Sequence, residues 1–175
     1  MRKTLTSLLI ATALVAASAT AASATEVTAS PGGAISATIR SLGFSGFLIG
    51  LFTCDVSLGG SVSRGPIVLP GNGGSITSAT ISGCSGGHSV APRSLPWTLT
   101  AQTALSRCPS ASTGLLGTVA ASFTIDGFVT SSGPIGTLVS SGRGNISILR
   151  STLSNSGVVL GGSGTYSPVN TIACI

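Results

Sequence analysis

The sequence predicts an all-β fold: a single antiparallel β-sandwich or barrel, stapled by disulfides. Three observations carry this. Short alternating or β-branched segments recur along the chain, each bounded by Gly, Pro, Asn or Ser clusters. No apolar period of helical spacing persists beyond the first residues. Four cysteines, Cys54, Cys84, Cys108 and Cys174, follow a leader that reads as an export signal.

The leader comes first. Arg2 and Lys3 precede an uncharged apolar run from Leu5 to Ala17, and Ala22-Ser23-Ala24 offers the small residues a signal peptidase reads. Residues 1–24 are therefore expected to be removed, leaving 25–175 as one extracellular domain. The run is shorter than the ~18–20 residues of a membrane span, so no transmembrane anchor is expected after cleavage.

The strands follow in order. Ala34 to Arg40 alternates loosely, and Phe47 to Val56 is apolar enough to read as a strand buried on both faces. The turn-rich Pro70-Gly71-Asn72-Gly73-Gly74 leads into Ile76 to Ile81. Trp97 to Ala101 and Val119 to Ile125 alternate cleanly. Ile135 to Val139, Ile146 to Arg150, Val158 to Leu160 and Tyr166 to Ala173 complete the set. Asp126-Gly127, Ser132-Gly133-Pro134, Gly142 to Asn145 and Gly161 to Gly164 read as the turns between them. The echo of Ser-Ala-Thr-Ile at 36–39 and 78–81 reflects two strands of like composition, since a solenoid needs a sustained period.

Oxidation of the cysteines follows from export. Zinc is excluded by their wide spacing and by a single histidine, His88. The favoured pairing is Cys54–Cys84, across a hairpin centred near Leu69, with Cys108–Cys174 as the second bridge.

Charge excludes further classes. The chain carries a net charge of +5 with only 6% charged residues. Its one lysine leaves with the leader. Arg40, Arg64, Arg93, Arg107, Arg143 and Arg150 are scattered against Glu26, Asp55 and Asp126. Nucleic-acid binding needs a concentrated basic face, and a polybasic membrane motif is missing for the same reason.

Two motifs invite a catalytic or processing reading. Gly87-His88-Ser89-Val90-Ala91 has the letters of a nucleophile elbow, but Pro92 and Pro96 forbid the helix an elbow requires, and no acid lies nearby in sequence to orient His88. Leu95-Pro96-Trp97-Thr98 has the start of a sorting signal, but Leu99 follows where glycine is needed. Apart from Glu26 at its start, Asp55 and Asp126 are the only acids of the domain, each expected in a turn or at a strand end. Gly71 to Ser75 reads as a hairpin turn, and Asn145-Ile146-Ser147 as a chance glycosylation sequon. No enzyme, metal or cofactor is expected.

Gly73 to Cys84, followed by Leu95-Pro96-Trp97-Thr98-Leu99-Thr100, resembles small secreted bacterial proteins that include the alkane-oxidation protein activators. The likeness spans about Phe52 to Arg107. It implies an extracellular, non-enzymatic role in handling hydrophobic substrates, with no catalytic residues to transfer.

The reading that results is a secreted, non-enzymatic β-protein with a cell-surface, adhesive or structural binding role. Few charges leave edge strands weakly protected, so self-association by strand addition is expected, with the segment from Thr25 as donor. The alternative is a carrier of a small hydrophobic molecule such as an alkane or lipid. Phe44, Phe47, Phe52, Trp97, Phe123 and Phe128 are then the candidates to line its cavity; otherwise they fill the core.

Overall fold

The computed structural model describes residues 26–105 and 114–175. The expected leader, Arg107 and Cys108 lie outside the described residues. The strands are β1 (Glu26–Ser30), β2 (Gly33–Gly46), β3 (Gly50–Val62), β4 (Ile67–Val68), β5 (Gly71–Ser82), β6 (Val90–Arg93), β7 (Trp97–Ala104), β8 (Gly114–Ile125), β9 (Val129–Ser140), β10 (Asn145–Thr152), β11 (Val159–Ser167) and β12 (Thr171–Cys174). A short 3-10 turn, Ser85–Gly87, precedes β6. The all-β expectation holds.

Of the two expected architectures, the chain adopts the barrel. Strands β8, β7, β5, β3, β2, β11, β10 and β9 pair in that order, and β9 pairs back onto β8, closing an eight-stranded antiparallel ring. β7 covers the first half of one β8 edge and β6 covers the second half. Closure removes the free edges that an open sandwich of so uncharged a sequence would present. A separate three-stranded sheet, β12-β1-β4, covers one end of the ring, here called the lower end. β1 is its central strand: within the segment from Thr25 read as a donor for strand addition, Val27–Ser30 pair with β12 on one edge, and Glu26 and Val27 pair with β4 on the other.

The alternation of side chains follows from the pleat. On β8, Val119, Ala121, Phe123 and Ile125 point inward and are buried. On β2 the inward series runs Ala37 and Ile39, then Leu42 and Phe44, because a bulge at Arg40-Ser41 inserts a residue. Ser41 sits at φ 55°, and its N–H donates to Asp55 Oδ1 at 3.0 Å, which holds the bulge.

Four sequence readings are corrected. Phe47 to Val56 is not one doubly buried strand: Phe47 and Leu48 form the apex of the β2–β3 hairpin, and the strand starts at Gly50. Gly71 to Gly74, Ser132 to Pro134 and Gly161 to Gly164 are not turns but strand segments, the first and last with register shifts and the middle one paired with β8 inside β9. At Gly164 a Cβ would strike the backbone oxygen of Thr38, so glycine is what lets β11 close on β2 there. Composition announced a turn; geometry used the missing side chain for close approach.

Cys54 and Cys84 are disulfide-bonded, as the hairpin reading expects, because β3 and β5 pair with Asp55 opposite Ser82. Cys174 is also disulfide-bonded. Cys108, its expected partner, lies outside the described residues.

Candidate functional site

The barrel interior is built in two parts. The upper part is filled by rings. Phe44 and Phe52 face each other across β2 and β3 and stack with centroids 5.1 Å apart. Phe123 meets Phe44 edge-on at 6.2 Å and Trp97 at 5.1 Å. Trp97 Nε1 donates to the Arg93 carbonyl at 2.7 Å, so its one polar atom is satisfied.

Below the rings lies a cavity of about 100 Å³. Ile39, Leu42, Val56 and Leu58 line it from β2 and β3, Ile76, Leu99, Val119 and Ile135 from the opposite wall, and Ile146 and Ile148 from β10. Trp97 and Phe123 close its upper end. Ala29, Ile67 and Ile172, one from each strand of the small sheet, close its lower end. Gly73 and Gly117 also line it, and at Gly117 a Cβ would strike the Thr100 carbonyl oxygen, so β7 and β8 approach closely there. No Asp, Glu, Lys, Arg or His is among the lining residues. An apolar lumen of this kind favours apolar contents and excludes charge.

Hydrogen bonds tie the small sheet to the ring. Gly32 N–H donates to Asn170 Oδ1 at 2.8 Å, and Ile172 N–H donates to Ser141 Oγ at 2.9 Å. The Tyr166 hydroxyl donates to the Ser140 carbonyl at 2.9 Å. Burial pushes the Tyr166 phenol up from its ordinary value, with the Asn170 backbone acting in the opposite sense.

The six candidate ligand residues therefore divide. Phe44, Phe52, Trp97 and Phe123 come together inside, but only Trp97 and Phe123 touch the cavity. Phe47 and Phe128 do not line it: they sit at hairpin apices, 101% and 69% exposed. A glycine-flanked phenylalanine at a turn cannot be told from a strand phenylalanine by composition. The aliphatic lining from Ile39, Val119, Ile135 and Ile148 was present in the predicted strands; its signal was the inward alternation itself.

The upper rim holds a polar cluster that the sequence did not foretell. His88 Nδ1 donates to Asp126 Oδ2 at 2.8 Å, and Ser89 N–H donates to Asp126 Oδ1 at 2.8 Å. Asp126, expected only as a turn residue, is that turn residue at φ 50° and also the acid that orients His88. The Ser89 N–H bond first, and the His88 bond next, hold the Asp126 carboxyl below the usual carboxylate value. The imidazole stacks on Phe52 at 4.2 Å. These bonds, with Asp126 N–H donating to the Ser89 carbonyl at 2.8 Å, tie the 85–89 loop to the β8–β9 apex.

A family model matches residues 1–174, that of the alkane oxidation protein activator PraA/PraB-like proteins. The chain belongs to this family. The resemblance read from the Gly73–Cys84 and Leu95–Thr100 segments is thereby shown, and over nearly the whole chain rather than one third of it. No curated protein and no solved structure matches the chain significantly.

Proposed function

We propose that this PraA/PraB-like protein is an exported, non-enzymatic binder of a small apolar molecule, taken into the barrel between the aromatic layer and the small sheet. One observation carries the proposal: the ~100 Å³ cavity has a lining dominated by aliphatic side chains and free of charge. A dry cavity of about 150 Å³ takes benzene, so this one fits a short chain of about four to five carbons. At about 0.8 kcal/mol per methylene removed from water, such a ligand gains about 4 kcal/mol, a dissociation constant near the millimolar range. Export is supported by the leader reading of residues 1–24 and by disulfide bonding at Cys54, Cys84 and Cys174.

The test is titration with n-pentane, followed by methyl NMR, on the wild type and on Ala37→Leu. Ala37 is buried and lines the cavity, so leucine places three more carbons inside it. Saturable millimolar binding that Ala37→Leu abolishes supports the proposal. Binding that Ala37→Leu leaves intact refutes an interior site.

A second reading, contact with an apolar surface, rests on the barrel's upper apices. Phe47, Leu48 at 72% exposure and Phe128 protrude from two hairpins at the same end. Isolated exposed hydrophobes are ordinary, but a group at one end marks an interaction face.

A further inference from the structure

The cavity contains one feature that a pure hydrocarbon site would not need. Thr137 projects into the lumen from β9, two residues from Ile135 and two from Val139, and is 2% exposed. A Cβ built on Gly117, directly across the β8–β9 ladder, would lie 3.4 Å from Thr137 Oγ1, so the hydroxyl sits on the inward face above Gly117, where no side chain covers it. The Thr137 hydroxyl has no hydrogen-bond partner among the described residues. Valine would fill the same volume without a buried, unpaired polar group.

The other polar side chains along the cavity are engaged or turned away. Tyr166 donates to Ser140, Asn170 is bound to Gly32 and Pro168, and Thr100 is half-buried on the alternate face of β7. A water molecule needs two to four polar partners to stay in such a place, and the Thr137 hydroxyl supplies one.

We infer that the lumen selects a short aliphatic chain ending in a neutral hydroxyl, with Thr137 Oγ1 as its hydrogen-bonding partner. This rests on the proposed interior site and names its ligand class: a primary alcohol. The hydroxyl of an alcohol both donates and accepts, as does that of threonine. A carboxylate or an amine would have to be desolvated in a lumen with no opposite charge.

The experiment compares n-pentane with 1-butanol, which have the same number of heavy atoms. Both are titrated by NMR against the wild type, Thr137→Val and Thr137→Ser. The inference predicts that Thr137→Val weakens 1-butanol about tenfold and leaves n-pentane within twofold, while Thr137→Ser keeps the alcohol affinity. In the wild type, the C1 protons of 1-butanol should show contacts with the Thr137 methyl, whatever the stability of the variants. n-Pentane binding without 1-butanol binding, equal effects of Thr137→Val on both, or a reversed orientation overturns this inference and leaves the interior site standing. Failure of both ligands to bind overturns the two together.

Discussion

Replacing both Cys54 and Cys84 by alanine should cost this barrel a large part of its stability without changing its architecture. The bridge spans a sequence separation of 30 residues. In the chain-entropy account a closed loop of that length removes about 12 cal/mol/K from the unfolded ensemble, or about 3.7 kcal/mol at 25 °C. Cys54 is buried in the core cluster beside Phe44 and Phe52, so alanine there forfeits about 1 kcal/mol more of buried contact. The expected loss is about 4–5 kcal/mol, within the 5–15 kcal/mol that holds a typical domain together. For a chain of this size it amounts to a fall in melting temperature of roughly 10–15 °C. Urea unfolding followed by Trp97 fluorescence measures it, since Trp97 is buried against Phe123. A loss under about 1 kcal/mol would mean that β3 and β5 remain associated in the unfolded chain, and the entropic reasoning would fail.

Four other outcomes follow from the same contacts. Phe44→Ala removes a fully buried ring that touches Phe52 and Phe123, and should destabilise by about 4 kcal/mol in the same assay. Gly164→Ala should destabilise by more than the usual helix- or strand-propensity difference, because its Cβ meets Thr38 backbone rather than a side chain that can move; a neutral result would show that the β2–β11 contact can widen. The Asp126 carboxyl lies below its ordinary value in the folded chain, so the stability it contributes is present above the unfolded value of 3.8 and is lost as pH falls through the folded one. Amide exchange at Ser89 should accelerate there, and Asp126→Asn should abolish that acid-induced step. Finally, Phe47→Ser with Phe128→Ser should leave urea stability within about 0.5 kcal/mol but reduce adsorption to hydrocarbon droplets if the apices make that contact.

Much of the barrel was legible because its strands alternate. Trp97 to Ala101 and Val119 to Ile125 carry the period in plain sight, and the β3–β5 hairpin made Cys54 and Cys84 natural partners. Closure was not legible. It depends on β8 pairing with β9 along its whole length and with β7 and β6 in halves on the other edge, and no local pattern encodes that. Glycine misled for a physical reason: at Gly164 it marks close approach of two strands, whereas at Asp126-Gly127 it marks the turn that composition suggests. The site was half legible. Trp97 and Phe123 were picked by size, whereas Phe47 and Phe128 were picked by the same rule and stand outside. Thr137 carried no signal at all, because a threonine in a strand looks the same whether its hydroxyl faces water or the lumen.

The measurement that bears most directly on the interior site is a map of intermolecular contacts from n-pentane to the methyl groups of an otherwise deuterated protein. The account predicts contacts with Ile39, Val119, Ile135 and Ile148, which line the cavity, and none with Leu48 or Leu51 near the upper apex. Contacts confined to Leu48 and Leu51 would place the apolar molecule on the surface and contradict a binding lumen.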